Sequence, residues 1–452
     1  MAAGSVALAA LLAVTMLPAA PAAPPVVCDA PTPSATRPGL LIADPDCDPD
    51  GTPFTPIRGS AVHTGIEQGA AYRIEVPRRW NGRLVIFAHG YRGDGRLLFV
   101  SNPRLREHYL DRGYAWAASS YQLNGYEVGQ GVRDSHALVP LFRRVTGTAA
   151  RSVLMTGESM GGHVTAVAIE EFPRTFDGAM PVCGVLGDVA LFDYFLDANV
   201  TAAALAGVPI GFPDAPSDAF DREWRAQVTE ISARLGLNAG APPSLTPAGR
   251  AWSDVVERRT GGDRAGFDAS FAYWNTATSL EPFADLPFLF GLYPGLSGRA
   301  DNVAGNRHTV YRITDAPHPT PAERRLNADV LRVSPTLPAD PGLGSIPRVD
   351  GRPRVPVLSL HTTGDLFVPF SMEQIYARRA ATPLFVSRAI RAPGHCDFTL
   401  DELRTAFDDL TRWTYTGHRA PGDPILDRRA VAAPTFGCRF TTETRPGFPA
   451  CP

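Results

Sequence analysis

A serine stands between glycines at the point where a short apolar run passes into a helical pattern. The run Ser152 to Thr156 is predicted to be a strand, and the helical pattern starts at about Met160. Between them, Gly157 to Gly161 reads Gly-Glu-Ser-Met-Gly. Small residues on both sides of Ser159 permit a tight, strained turn that exposes its hydroxyl at the carboxyl edge of a sheet. We therefore expect Ser159 to be a nucleophile on a strand–turn–helix unit.

Apolar runs alternate with helical patterns on both sides of this unit, which predicts an α/β fold with a mostly parallel sheet and helices on both faces. The predicted strands are Leu84 to Ala88, Tyr114 to Ser119, Ser152 to Thr156, Ala179 to Cys183, Val355 to His361 and Leu384 to Ala389. The predicted helices are Pro103 to Arg112, Gln130 to Val145, Met160 to Phe172, and a closing helix that opens with a capping box at Thr399 to Glu402.

The alternation stops after Gly187 and returns at Val355. Helical patterns replace it over Val189 to Ala206, Ser217 to Leu235, Pro247 to Arg259 and Pro321 to Val333. An aromatic-rich run, Phe283 to Tyr293, lies in the same stretch. We therefore predict a helical insert over residues 188–354 within an α/β core made of residues 72–187 and 355–417.

The last two predicted strands are followed by loops that carry an acid and a base. Asp365 lies on the first of these loops and His395 on the second. Parallel strands present their carboxyl ends at one edge of a sheet, so both side chains are expected beside Ser159. His395 would accept the serine proton, and Asp365 would orient the imidazole. Asp188 and Asp193 stay open as alternative acids, because they follow another strand of the same sheet.

The strand Leu84 to Ala88 ends in His89, Gly90 and Tyr91, at the place where a serine enzyme needs a backbone N–H for its oxyanion hole. The expected donors are the N–H groups of Tyr91 and Met160. His89 is expected to hold this loop in place rather than to take part in the chemistry. Gly90 is expected to permit close approach of the loop to the serine, as Gly157 and Gly161 do on the other side.

Composition excludes several kinds of chemistry. All 43 basic residues among the 452 are arginine, so Schiff bases, a P-loop lysine and a Ser-Lys dyad are closed to this chain. A formal net charge of −3 gives no electrostatic footprint for nucleic acid or an anionic membrane. The histidines lack the spacing of a metal site, and we expect neither a metal nor another cofactor.

The ends of the chain differ from the core. Val6 to Leu17 is an apolar run too short to span a membrane, and the Ala-Pro-Ala sequence that follows it predicts a signal peptide over residues 1–22. Residues 23–71 and 418–452 are rich in proline. We therefore expect a secreted or extracytoplasmic protein without a stable membrane anchor.

An even number of cysteines is typical of disulfides in an oxidising compartment. The six are Cys28, Cys47, Cys183, Cys396, Cys438 and Cys451. The first two bracket the N-terminal segment and the last two bracket the C-terminal residues, so each of these pairs can close a short loop. The sequence alone leaves 15 pairings open.

An acidic turn in the N-terminal segment resembles the first half of a calcium loop. Asp46, Asp48 and Asp50 alternate with other residues and precede Gly51, but the twelfth position is Ile57 where a calcium loop has Glu. An Asp-rich turn without an ion is the simpler interpretation, and calcium binding stays open.

At the loops that carry His89, Ser159, Asp365 and His395, the sequence resembles the α/β-hydrolase fold superfamily, specifically its secreted, lid-bearing esterases and lipases. The resemblance implies a helical cap over the active site, inserted between the sixth and seventh strands of the sheet. The insert at residues 188–354 occupies that place, and we call it the cap.

The resemblance also suggests a role for the two remaining cysteines. Cys183 ends a predicted strand and Cys396 follows the base, so both are expected at the active-site edge of the sheet. A bond between them would tether the loop that presents His395.

These observations predict a secreted serine hydrolase that cleaves small-molecule or polymeric carboxylic esters through an acyl-enzyme. Three alternatives stay open: an acyltransferase, a non-catalytic binding protein on the same scaffold, and a capped serine aminopeptidase. An intact set of Ser, His and Asp argues against the binding protein. The aminopeptidase would need cap carboxylates to hold a substrate amine, and the candidates are Asp218, Asp221, Glu223, Glu230 and Glu257. The sequence does not predict the oligomeric state.

Overall fold

The computed structural model describes residues 27–57, 59–212, 218–237, 242–276, 303–336 and 342–452. The predicted signal peptide at residues 1–22 and the aromatic run Phe283 to Tyr293 lie outside the described residues. Within the described part of the chain, no helix is both long enough and apolar enough to cross a membrane.

An eight-stranded sheet forms the centre of the described chain. Its strands are β1 (Ala61–Glu67), β2 (Ala70–Val76), β3 (Arg83–Ala88), β4 (Ala115–Ser119), β5 (Ser152–Glu158), β6 (Gly178–Val182), β7 (Val357–Thr362) and β8 (Phe385–Ile390). Their spatial order is β1-β2-β4-β3-β5-β6-β7-β8. The contacts of β2 with β1 and β4 are antiparallel, whereas β3 to β8 pair in parallel. The carboxyl ends of six strands therefore meet at one edge of the sheet.

Helices cover both faces of the sheet. Outside the cap they are α1 (Arg106–Asp111), α2 (Val128–Thr146), α3 (Met160–Glu171), α9 (Ser371–Ala380), α10 (Leu400–Thr416) and α11 (Arg428–Val431). Helices α2 and α3 bury Val132 and Val164 in one apolar cluster, and α1 and α10 bury Tyr109 and Phe407 in a second cluster on the opposite face. Two apolar faces are what a parallel sheet with helical crossovers requires.

The cap lies between β6 and β7, the sixth and seventh strands along the chain, as expected. Its helices are α4 (Ala190–Ala206), α5 (Asp218–Leu235), α6 (Pro247–Thr260), α7 (Phe267–Thr276) and α8 (Pro321–Asp329). Helix α4 packs against α5, α6 and α8. The described part of the cap contains no strand of the main sheet.

The sheet begins earlier than the predicted core boundary at residue 72. Strand β1 and the start of β2 lie within residues 23–71, which the proline content predicted to be a separate segment. Strand β1 is an edge strand that pairs only with β2, and its side chains are half-buried or exposed. An edge strand of this kind has no continuous apolar run, which explains why the pattern missed it.

Two helices are shorter than predicted because their ends bind elsewhere. Helix α1 starts at Arg106, since Pro103 instead closes a turn by accepting a hydrogen bond from the Arg106 N–H. Helix α8 ends at Asp329, because Val333 exchanges hydrogen bonds with Asn306 across the cap.

Both proline-rich ends are packed onto the core. Three two-residue strands, Thr32–Pro33, Leu41–Ile42 and Leu97–Leu98, form a small second sheet. At the other end, the buried guanidinium of Arg391 donates to the carbonyl oxygens of Pro434, Phe436 and Ala450. The disulfides are Cys28–Cys47, Cys183–Cys396 and Cys438–Cys451.

Candidate active site

Ser159 occupies a strained turn between β5 and α3. Its φ of 59° and ψ of −123° are rare for a residue with a side chain. A Cβ on Gly157 would lie 2.1 Å from the carbonyl oxygen of Gly161, and a Cβ on Gly161 would lie 2.1 Å from the carbonyl oxygen of Ala88. Only glycine fits at either position, and the backbone therefore turns sharply enough to present the serine hydroxyl.

The structure brings Ser159, His395 and Asp365 together in one hydrogen-bonded chain. Nε2 of His395 lies 2.8 Å from Oγ of Ser159, and Nδ1 lies 2.6 Å from Oδ2 of Asp365. The other carboxylate oxygen of Asp365 accepts from the N–H groups of Phe367 and Val368, each at 2.9 Å. A carboxylate only accepts, so Nδ1 of the imidazole carries the hydrogen and Nε2 is free to accept from the serine.

The alternative acids are engaged elsewhere. The carboxylate of Asp188 binds the guanidinium of Arg379 at 2.6 Å and the N–H of Val349 at 3.0 Å. Asp193 accepts from the N–H of Gly305 at 2.8 Å, and burial raises its pKa to about 7. Of the three acids considered from the sequence, Asp365 is the one that contacts the imidazole.

The loop after β3 passes directly beside the serine. A Cβ on Gly90 would lie 3.2 Å from Cβ of Ser159, so the glycine permits this approach. His89 is buried, its ring lies within hydrogen-bond distance of the carbonyl oxygens of Gly90 and Ser120, and it stacks on Tyr121 at 3.8 Å. Burial, together with a neighbouring arginine charge, lowers the pKa of His89 well below its ordinary value. These contacts fit the role of holding the loop.

The expected oxyanion donors lie on either side of the nucleophile in the chain. Met160 is the first residue of α3, so its N–H is one of the free-pointing donors at a helix N-terminus. Tyr91 follows Gly90 in the loop beside Ser159.

The disulfide Cys183–Cys396 lies at the same edge. Cys183 follows β6, Cys396 follows His395, and Sγ of Cys396 lies 3.5 Å from Nε2 of the imidazole. Both cysteines have positive φ angles, 44° and 55°. Among the described residues, these two sulfurs and the imidazole form the one cluster with metal-ligand spacing, but sulfurs bonded to each other leave no thiolate for a metal.

The cap adds contacts that no sequence pattern indicated. The indole N–H of Trp274 is shared between the carbonyl oxygens of Gly364 and Pro393. The hydroxyl of Tyr194 donates to the carbonyl oxygen of Leu366 at 2.8 Å, and Nε of Arg264 donates to that of Thr363 at 2.6 Å. Side chains of α4 and α7, with Arg264 between α6 and α7, thus hold the loops that carry Asp365 and His395. Carbonyl acceptors leave no mark in a sequence, so these contacts could not be read from it.

The cap carboxylates considered for binding a substrate amine differ in exposure and in partners. Glu223 and Glu230 are exposed on α5, and Glu230 pairs with Arg234 one turn away. Glu257 is half-buried, and burial raises its pKa. The side chains of Asp218 and Asp221 lie outside the described residues.

The acidic turn in the N-terminal segment binds protein groups. Asp48 pairs with the buried guanidinium of Arg73 at 2.7 Å. The carboxylates of Asp46 and Asp50 each accept from a nearby threonine hydroxyl. The three carboxylates therefore serve different partners, as in an Asp-rich turn without an ion.

Comparison with known proteins gives distant similarities. No protein-family model matches the chain. It is 22% identical to an o-phthalyl amidase from Xanthobacter agilis over 414 residues, which are 81% of this chain and 90% of that protein. Among solved structures, it is similar to feruloyl esterase B from Aspergillus oryzae (TM-score 0.45, 14% identity, 87% of this chain and 86% of that one). It is also similar to proline iminopeptidase from Mycobacterium smegmatis (TM-score 0.38, 12% identity, 79% of this chain and 100% of that one).

The fold assignment rests on the topology of the chain itself. In the strand order β1-β2-β4-β3-β5-β6-β7-β8, β2 is antiparallel to both of its neighbours, and the other neighbouring strands are parallel. The turn at Ser159 follows the fifth strand along the chain. The loops that hold Asp365 and His395 follow the seventh and eighth strands, which is the chain order Ser, Asp, His of α/β-hydrolases. The chain has the α/β-hydrolase fold.

Proposed function

We propose that the protein is a serine hydrolase that cleaves carboxylic esters through an acyl-enzyme. The observation that carries the proposal is the unbroken hydrogen-bonded chain from Ser159 through His395 to Asp365. In this chain the nucleophile has a base within 2.8 Å, and the base has a buried carboxylate within 2.6 Å. That arrangement activates a hydroxyl that is otherwise a weak nucleophile at neutral pH.

The reaction follows from these positions. Nε2 of His395 accepts the hydroxyl proton as Oγ of Ser159 attacks the substrate carbonyl carbon, and the carbonyl π electrons move to oxygen. The N–H groups of Tyr91 and Met160 donate to that oxyanion, each contributing about 3 kcal/mol of transition-state stabilisation. Asp365 stabilises the imidazolium that has formed.

Collapse of the tetrahedral intermediate expels the alcohol, which takes its proton from the His395 imidazolium. The acid part of the substrate is then bound to Oγ of Ser159 as an ester. Water attacks this ester with His395 again as the base, releases the acid and restores the serine. Each step uses only groups of this chain and water.

An amide substrate is the second candidate. The o-phthalyl amidase that is 22% identical to this chain cleaves an amide by its name. The same residues serve either reaction, because His395 can give its proton to a departing amine as well as to an alcohol. Ester and amide cleavage therefore differ in the substrate pocket rather than in the triad.

A substrate panel tests the proposal. We suggest p-nitrophenyl esters of graded acyl length beside p-nitroanilides of aryl acids and of amino acids, each with wild type and Ser159→Ala. We expect ester turnover that falls by about 10⁶-fold in the variant. Turnover of aryl anilides alone would favour the amidase, and turnover of aminoacyl anilides alone would favour the peptidase. Equal turnover by wild type and the variant would contradict a serine mechanism.

We further propose that the protein acts outside the cytoplasm. The support is the set of three disulfides, which persist in oxidising compartments, together with the signal-peptide pattern of residues 1–22. Expression of the full chain in a bacterial host tests it. We expect exported protein with a new N-terminus close to residue 23, and retention of the uncleaved chain inside the cell would contradict the proposal.

A further inference from the structure

His361, like His89, is buried, and it lies behind the loop that carries Asp365. His361 lies on β7 with no exposed surface. Its Nε2 is 2.7 Å from the carbonyl oxygen of Val368, and its Nδ1 is 3.3 Å from Oε1 of Glu373. Glu373 lies on α9 and is equally buried. The mechanism above does not use this pair.

The partners of the pair indicate where its protons lie. A carbonyl oxygen only accepts, so Nε2 of His361 carries a hydrogen. The other oxygen of Glu373 accepts from the hydroxyl of Ser387 at 2.9 Å and from that of Ser359. Two donors to one oxygen favour an ionised carboxylate, which then accepts from Nδ1 as well. These contacts fit a ring that carries hydrogens on both nitrogens, which is an imidazolium.

Electrostatics agrees with this assignment. Burial by itself lowers the pKa of His361, but the hydrogen bond and charge of Glu373 and the charge of Asp365 raise it above its ordinary value. The charged groups that face the ring are Glu373 on α9 and Asp365 on the loop after β7. On the cap side, the buried cation Arg264 interacts with the same Asp365 carboxylate.

The His361–Glu373 pair is connected to the proposed triad in two ways: by hydrogen bonds through Val368, and by the short distance between His361 and Asp365. The carbonyl of Val368 accepts from His361, and its N–H donates to Oδ1 of Asp365 at 2.9 Å. Nε2 of His361 also lies 3.9 Å from Oδ2 of Asp365, the oxygen that binds His395. One carboxylate thus faces two imidazole rings, of which one is paired with Glu373.

We propose that His361 and Glu373 form a buried imidazolium–carboxylate pair that positions the Asp365 loop and sets the pH range in which His395 can act as the base. A positive charge beside Asp365 competes with the His395 imidazolium for the same carboxylate and so favours the neutral form of His395. Neutral His395 is the form that accepts the serine proton, and the pair therefore extends activity to lower pH. His361 is a positioning residue, and this inference rests on the proposed function.

The test compares wild type with His361→Gln, whose amide can still donate to the Val368 carbonyl but carries no charge. We expect the acid limb of the kcat/KM profile, with the best p-nitrophenyl ester, to move to higher pH by about one unit. The NMR titration midpoint of the His395 ring, followed in protein with labelled histidine and assigned with His395→Ala, should move by the same amount. His136→Gln is the control and should move neither, because it removes a half-buried histidine of α2 that is bonded to Thr175 and not to the triad residues.

A second variant keeps the proposal open to contradiction if His361→Gln does not fold. Glu373→Gln removes the counter-ion, so the buried His361 ring is expected to lose its proton and with it the positive charge beside Asp365. Because the variant also removes a negative charge, we expect a smaller shift in the same direction. A folded variant in which both the acid limb and the His395 midpoint stay within 0.2 pH units of wild type would overturn the inference. If wild type turns over none of the substrates, the proposed function fails while the NMR titration still decides this inference.

Discussion

The indole nitrogen of Trp274 lies 3.0 Å from the carbonyl oxygen of Gly364. The same nitrogen lies 2.9 Å from the carbonyl oxygen of Pro393, so one N–H from cap helix α7 is shared between two loops. Gly364 directly precedes Asp365, and Pro393 precedes His395 by two residues. The cap therefore holds together the two loops that carry Asp365 and His395.

Replacing this indole by a ring without an N–H tests the brace. We expect Trp274→Phe to lower kcat about tenfold with little change in KM, because small displacements of the acid and base weaken the transition state more than binding. Trp252→Phe is a matched control, since Trp252 is equally buried and donates its N–H within the cap, to the carbonyl of Ala198. Each variant loses one buried N–H donor, which costs about 1 kcal/mol of unfolding free energy. Equal kcat values in the two variants would argue against the brace.

The loop beside the nucleophile should tolerate no side chain at Gly90. A methyl group there would lie 3.2 Å from both Cβ of Ser159 and the carbonyl oxygen of Glu158, so the loop and the Tyr91 N–H must shift away from the serine. We expect Gly90→Ala to lower kcat by about 10- to 100-fold, as partial loss of an oxyanion donor would. Gly95→Ala is the control, because a Cβ at Gly95 meets nothing within 4 Å. Unchanged kcat in Gly90→Ala would contradict the proposed role of this loop in the oxyanion hole.

Two of the three disulfides, Cys183–Cys396 and Cys438–Cys451, should differ in their effects. Cys183–Cys396 spans 213 residues and Cys438–Cys451 spans 13, so the chain-entropy model gives about 5 and about 3 kcal/mol of stabilisation. We expect the double serine variant of the first pair to unfold at lower urea concentration than that of the second, and to lose more activity at temperatures where both are folded. Mass mapping of the non-reduced protein checks the pairing itself. A free Cys396, or one bonded to a terminal cysteine, would refute the tether of the His395 loop.

Asp193 should make the protein less stable as pH rises. Burial raises its pKa from 3.8 to about 7, so between these pH values the folded chain holds a proton that the unfolded chain has released. Stability from this site is therefore present at low pH and is lost as pH rises towards 7. Asp193→Asn keeps an acceptor for the Gly305 N–H but does not titrate.

Denaturation at several pH values measures this difference. The quantity to follow is the free energy of unfolding of Asp193→Asn minus that of wild type. We expect this difference to rise by about 2–4 kcal/mol between pH 4 and pH 8. A difference between the two proteins that does not change with pH would show that Asp193 ionises normally in the folded chain.

The elements closest to Ser159 were predictable because short stretches of sequence determine them. The tight turn at Ser159 admits only glycine at two positions, and these are Gly157 and Gly161. The loops that follow parallel strands lie at one edge of the sheet, and this places Asp365 and His395 beside the serine. The cap was predicted from helical periodicity, although its helix α8 is shorter because Val333 binds Asn306.

The contacts that surround the triad could not be predicted in the same way. Trp274 and Tyr194 donate to backbone carbonyls, which every residue has, and His361 meets Glu373 only because β7 and α9 pack together. Strand β1 was missed since a half-exposed edge strand lacks an apolar run. Long-range packing against generic partners leaves no local signal.

The central claim is that Ser159 is the activated nucleophile, and covalent labelling tests it most directly. Purified protein is treated with a fluorophosphonate probe at neutral pH, digested and mapped by mass spectrometry, beside Ser159→Ala and Asp365→Asn. In wild type we predict one modified peptide, which contains Ser159, and we predict no labelling of Ser159→Ala. Labelling of Asp365→Asn should be much slower, because the His395 imidazole then adopts the wrong tautomer. Labelling that persists in Ser159→Ala, or that maps to another residue, would contradict the account.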